Sequence, residues 1–180
     1  MLQIKIKGRE LFDESKNEFI DVKDQTLQLE HSLVSISKWE SKWHKPFLSK
    51  DPRTMEESLD YIRCMTINKN VDPLIYQYCI DPQTMAEINA YIDDPSTATW
   101  FNDKDQHKSR EIITSEVIYY SMTALNIPFE CEKWHLNRLL TLIRVCSIKS
   151  QPQKKMSKRD VMSRNRSLNA MRRARSGSKG

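Results

Sequence analysis

The longest unbroken helical pattern in the chain covers residues 132–148, EKWHLNRLLTLIRVCSI. Leu136, Leu139, Leu140, Ile143 and Cys146 recur at spacings of three and four, the repeat of one helix face at 3.6 residues per turn. Arg138, Thr141 and Arg144 fall off that stripe, and no Pro or Gly interrupts it. The pattern predicts a core helix over 132–148 with Trp134 and His135 at its start.

A different period opens the chain. Leu2, Ile4 and Ile6 alternate with Gln3, Lys5 and Lys7 until Gly8, Phe19, Ile20 and Val22 follow a turn-like Ser15-Lys16-Asn17, and Leu27 and Leu29 alternate again. That is the half-buried strand period, and it predicts three short strands in a meander over residues 1–31. So small a sheet needs a helix on its apolar face. Ser32 is then a helix N-cap ahead of Leu33, Ile36, Trp39 and Trp43, and Pro46 stops that helix by Lys45.

Helix-start signals crowd the middle of the chain. Thr54 and Glu57 have capping-box spacing before a helix over 55–67. Asp72-Pro73 and Asp81-Pro82 place proline at the first helical position of a short helix over 74–79 and a longer one over 83–93. Residues 96–101 read as an extended segment or short strand, and 102–110 as a polar, exposed loop. A helix over 111–126 and the turn Ile127-Pro128-Phe129 then make an αα-hairpin with the helix over 132–148. The fold class is mainly α (α+β): a small N-terminal β-meander over 1–31, a bundle of short helices over 32–148, and a basic tail over 149–180.

Charge sets that tail apart. The formal net charge is +5, but residues 149–180 hold eleven Lys and Arg against one acid, Asp160, a net +10 that leaves −5 for residues 1–148. An acidic body with a basic arm points to an acidic partner, to nucleic acid, or to the arm lying on a body of this chain. Residues 156–175 have cap-like spacing at Ser157 and Asp160 and weak periodicity at Val161, Leu168 and Met171, which predicts a helix formed on binding and fluctuating otherwise. The arm has no aromatic residue for base stacking, so nucleic acid is not the favoured partner. Only three Gly are present, fewer than a β-sandwich or a Gly-rich nucleotide fold uses.

Site chemistry is sparse. There is no phosphate loop, no Gly-x-Ser-x-Gly and no His-Glu-x-x-His. His31, His44, His107 and His135 are scattered, and Cys131 with His135 makes two metal-ligand positions without a third. The expectation is no enzyme, no metal and no cofactor. Cys64, Cys79, Cys131 and Cys146 form no Cys-x-x-Cys pair, no secretory signal is apparent, and no apolar run reaches a membrane span, so a reduced cytosolic protein is expected. The distinctive surface chemistry is aromatic and basic. Trp39, Trp43, Phe47 and Trp134 are candidates for contacting a partner or forming its groove, against a plain core role for at least two of them. Arg172, Arg173 and Arg175 are candidates for electrostatic contact.

Four stretches, residues 37–48 (SKWESKWHKPFL), 59–67 (LDYIRCMTI), 114–120 (TSEVIYY) and 134–146 (WHLNRLLTLIRVC), together with KMSK at 155–158, give the chain a resemblance to the tail assembly chaperones of long-tailed bacteriophages. The resemblance implies a small, mostly helical protein of the host cell cytoplasm that coats the tape measure protein, in many copies, before the tail tube polymerises around it. Two other readings compete: a tail, neck or baseplate subunit retained in the virion, and a nucleic-acid-binding protein acting through the basic tail.

Overall fold

The computed structural model describes residues 1–13, 17–101, 112–150 and 157–177. The chain divides into two compact units, Met1–Ile148 and Lys149–Gly180. It is mainly α, with a small amount of antiparallel β at the N-terminus.

Strand β1 (Leu2–Ile6) pairs antiparallel with β4 (Gln25–Leu29), Ile4 facing Leu27 and Leu2 facing Leu29. The period of two turns Ile4, Ile6, Leu27 and Leu29 to the buried side. Strands β2 (Glu10–Asp13) and β3 (Glu18–Asp21) form a second antiparallel pair between them. The predicted three-stranded meander is thus corrected to four strands in two separate pairs. A four-residue strand that begins and ends on an acid is too short to show an alternation. Ser15 and Lys16 of the expected turn lie outside the described residues. The β1–β4 pair is extended instead from the helical region. Leu29 bridges Thr66, Glu30 N donates to Met65 O at 2.9 Å, and Ile67 N donates to Gln28 O at 2.9 Å.

Helix α1 (Leu33–Trp43) is capped by Ser32, whose hydroxyl accepts from Ser35 N, and ends at His44 in the left-handed region (φ 52°), two residues before Pro46. Helix α2 (Met55–Met65) carries the complete Thr54/Glu57 capping box. It stops two residues before the predicted end because Thr66 and Ile67 join the strand backbone. The short helix after Asp72-Pro73 is wound as a π-helical turn, Ile75–Cys79. Helix α3 (Pro82–Asp93) begins where predicted, with Asp81 accepting from Thr84 N at 2.7 Å. The segment after it is not a strand: Asp94 Oδ1 accepts from Ser96 N and Oγ, an Asx turn with Ser96 at φ 48°.

Two helix predictions need larger correction. Helix α4 (Ser115–Ala124) starts at Thr114 and not near residue 111, and Ile112 and Ile113 precede it as exposed, non-helical chain. Residue 111 and the polar loop over 102–110 lie outside the described residues. The helix over 132–148 is interrupted. Phe129–Lys133 forms a 3-10 turn, Trp134 is extended, and α5 proper is Leu136–Ser150. The break has a partner: Leu136 N donates to His31 O at 2.8 Å, which ties the new helix start to the junction of β4 and α1. Within α5 only Leu136 and Leu139 are buried, and Ile148 is 53% exposed, so the predicted core stripe is deep at one end and open at the other.

In the second unit, α6 (Lys158–Ser176) runs from a Ser157 N-cap to Gly177 at φ 65°. No residue of it is buried. The segment expected to be helical on binding forms a capped helix; Met156 and residues 178–180 lie outside the described residues.

Candidate functional site

Helices α2 and α3 leave a cleft of about 300 Å³ between them. Its floor is apolar: Phe47, Tyr61, Ile62 and Ile88 line it, and each is at most 5% exposed. Met85 and Ile92 of α3 wall it, while Arg53, Ser58, Asn89 and Asp93 stand around it. The Arg53 guanidinium lies 4.1 Å over the Phe47 ring, a cation–π contact.

The floor belongs to a chain of aromatic rings. Trp43 stacks on Trp39 (6.3 Å, 29°), Trp39 meets Phe47 edge-on (5.2 Å, 85°), and Phe47 meets Tyr61 at 4.1 Å. Tyr61 reaches His31 at 5.9 Å, His31 reaches His135 at 5.0 Å, and His135 reaches Tyr91 at 5.1 Å. Tyr61 Oη lies 2.5 Å from His31 Nδ1. Burial pushes the Tyr61 phenol well above its usual pKa, so it stays protonated and donates to the bare Nδ1 of a neutral imidazole. Burial, then the charges of His135 and Arg53, pull the His31 pKa from 6.5 down to about 3. His135 Nε2 donates to the Tyr91 carbonyl at 3.0 Å, and its buried Nδ1 has no hydrogen-bond partner among the described residues.

Carboxylates fix α1 against its neighbours. The Glu40 side chain is buried and accepts from Phe47 N and from Ser115 N, each at 2.7 Å. It therefore holds the loop after α1 and caps the first turn of α4, where Thr114 supplies no side-chain cap. Asp60 accepts from Trp43 Nε1 at 2.9 Å and from Lys42 Nζ at 2.5 Å. Lys45 pairs with Glu57, and its ammonium, together with the Thr54 N–H, holds the Glu57 carboxyl below the usual range.

The structure brings Trp39, Trp43 and Phe47 together but gives them different exposures. Trp39 is 1% exposed and its indole donates to Glu57 O at 2.9 Å, so it is core and meets no partner directly. Phe47 is equally internal but forms the cleft floor. Trp43 is half-buried. Trp134 is apart from them, half-buried, with Arg138 4.1 Å over its ring. Arg172, Arg173 and Arg175 are exposed on the last turns of α6 in the other unit.

Sequence reasoning missed Arg53, Tyr61, His31, Tyr91 and His135 as one neighbourhood. Positions 31, 61, 91 and 135 share no helical or strand spacing, so only the tertiary fold assembles them. Among the described residues no three His, Cys, Asp or Glu side chains converge to hold a metal, the four cysteines are unpaired, and no helix is long and apolar enough to cross a membrane. Chemically the cleft suits an apolar side chain on its floor, with charged neighbours of that side chain meeting Arg53 or Asp93. No protein-family model matches the chain, and no curated protein or solved structure matches it either.

Proposed function

We propose that this chain is an assembly chaperone of a long-tailed bacteriophage that covers the tape measure protein in the host cell cytoplasm, acting by binding and without catalysis. The observation that carries the reading is the cleft between α2 and α3, with its aromatic floor of Phe47 and Tyr61. A tape measure is a long helical chain with apolar stripes. Such a helix docks by placing apolar anchors in a groove, and a floor of buried rings flanked by Arg53 and Asp93 accepts one anchor with charged neighbours. One such site is small, so a stable coat requires many copies along one client, each contact weak and the sum strong. That arrangement also permits removal when the tail tube closes. The four sequence stretches that resemble this chaperone family support the same reading, and 59–67 contributes Tyr61 and Ile62 to the cleft.

The test is co-expression with the tape measure protein of the same phage, followed by pull-down and mass spectrometry. The expected result is a soluble complex with several copies per tape measure. An Asn89→Trp variant, which places a large ring at an exposed position of the cleft, captures at least about tenfold less client while unfolding at the same temperature, as expected for one central anchor pocket. No complex, with the protein present instead in purified virions, would make it a structural tail, neck or baseplate subunit.

A further inference from the structure

Helix α6 has a charge pattern that a solvated tail does not require. It carries seven Lys and Arg (Lys158, Arg159, Arg164, Arg166, Arg172, Arg173 and Arg175) against Asp160 alone, and none of its residues is buried. At about 100° per residue, Arg159, Arg166 and Arg173 fall in one row, successive members about 10 Å apart along the axis. These three make no ion pair among the described residues. Arg164, Arg172 and Arg175 fall on the opposite flank. Midway between the two flanks lie Asn165 and Asn169, one turn apart, with Lys158 beside them. The remaining face holds Ser163, Ser167, Ala170 and Ala174, together with the one acid, Asp160, whose backbone N–H is taken by the Ser157 cap.

A basic arc with amides at its centre and no acid within it is complementary to a groove whose two walls are phosphate and whose floor is base edges. We infer that α6 is a binding site for duplex DNA, the helix lying in the major groove of a B-form duplex. An α-helix is about 10–12 Å across and that groove about 12 Å wide, so the fit is steric as well as electrostatic. The two arginine flanks contact phosphates on the two strands, which positions the helix without reading sequence. Asn165 and Asn169 face the floor, where an asparagine amide pairs bidentately with adenine N6 and N7. Val161 and Leu168, each at least 40% exposed, fall among Arg164, Arg172 and Arg175 on the second flank.

The pattern does not suit an acidic protein helix as the occupant. A coiled-coil seam through Val161 and Leu168 would also run through Arg164, Met171 and Arg175, placing two arginines in five core positions. Nor does it suit double-stranded RNA, whose major groove is too deep and narrow for side chains to read. The remainder of the chain, at −5, repels the same polyanion, so DNA binding depends on the tail unit.

The experiment uses the full chain and a fluorescent 20-base-pair duplex, with anisotropy followed from low to physiological salt. Binding is expected, with an affinity that falls steeply as salt rises. The Arg159→Ala/Arg166→Ala/Arg173→Ala variant shows a log–log salt slope shallower by about 3, one counterion-releasing contact for each arginine removed. Selection from duplexes with a randomised core yields an A·T-containing sequence. The Asn165→Ala/Asn169→Ala variant then keeps the salt slope and loses at least about tenfold of its preference for that sequence. Thermal unfolding of the body is unchanged in both variants, because α6 buries none of these residues. The inference is overturned if the duplex is not bound, if the arginine variant has the wild-type salt slope, if no sequence is enriched, if an A-form RNA duplex of the same length binds as tightly, or if an acidic helical peptide displaces the DNA at equal charge concentration.

Discussion

Substituting His31 with glutamine removes a group whose neutrality is imposed by the fold. His31 is 2% exposed, and its Nδ1 faces the Tyr61 phenol, with His135, Arg53 and the Tyr91 hydroxyl as the other polar neighbours. Its pKa is about 3 in the folded protein and 6.5 in the unfolded chain. A base whose folded pKa lies below its unfolded value takes up its proton only on unfolding. Its contribution is fully present above pH 6.5 and is lost as pH falls from there towards 3. The slope is about 1.4 kcal/mol per pH unit, so moving from pH 7 to pH 4.5 removes about 3 kcal/mol. For a body of this size that is about 6–12 °C in Tm.

The glutamine variant retains an acceptor for Tyr61 but cannot titrate. It is less stable than the wild type at pH 7, having lost ring contacts with Tyr61, Phe47 and His135. The penalty shrinks or reverses at pH 4.5. The assay is urea or thermal unfolding of both proteins at several pH values, and the quantity read is the change in their difference. Carboxylates held low by hydrogen bonds, such as Asp81 by Thr84, titrate in both proteins and cancel. Repeating the comparison in a His135→Gln background separates the two imidazoles. A wild-type-minus-variant difference that is the same at pH 7 and pH 4.5 would refute the reasoning, because His31 would then not be held neutral by the fold.

Two further substitutions test the scaffold of the body. Glu40→Gln leaves one of the two buried N–H groups of Phe47 and Ser115 facing an amide NH2. It is expected to cost about 1.5–3 kcal/mol in urea unfolding and to speed amide exchange at Ser115 in particular. Gly8→Ala places a Cβ 1.8 Å from Val22 O, a backbone atom that cannot swing away, so β1 must shift. A loss of about 1–3 kcal/mol is expected, and an unchanged Tm would mean that Gly8 does not lie against the Val22 carbonyl.

The local signals in the sequence were legible because local chemistry fixes them. Ser32, Thr54 and Asp81 cap the helices they were expected to cap, since an N-cap needs only its own side chain and the next turn. The failures occur where a distant residue satisfies a backbone group. The helix over 132–148 starts late because Leu136 N finds the His31 carbonyl, and α4 starts late because Ser115 N finds Glu40, seventy-five positions away. No periodicity encodes such partners. The third element of the β1–β4 pair is hidden for the same reason: residues 65–67 sit in a helical run and are recruited by the edge of β4.

The tryptophans show how the candidate site separates from the candidate residues. Residues 37–48 are rich in aromatic and basic side chains, and with Trp the most interface-prone residue they look like a contact surface. In the fold, Trp39 and Trp43 bond to α2 through Glu57 O and Asp60, while Glu40 reaches to Phe47 and α4. The stretch therefore joins three helices, and what it gives the cleft is the ring on its floor, Phe47. A Trp39 substitution would consequently lower stability first and client capture only through it. A substitution at the exposed Asn89 changes capture without that intermediate. Comparing client capture with Tm across the two positions separates a surface that binds from a core that supports it. If capture falls in proportion to lost stability at both positions, the cleft between α2 and α3 is not the binding surface.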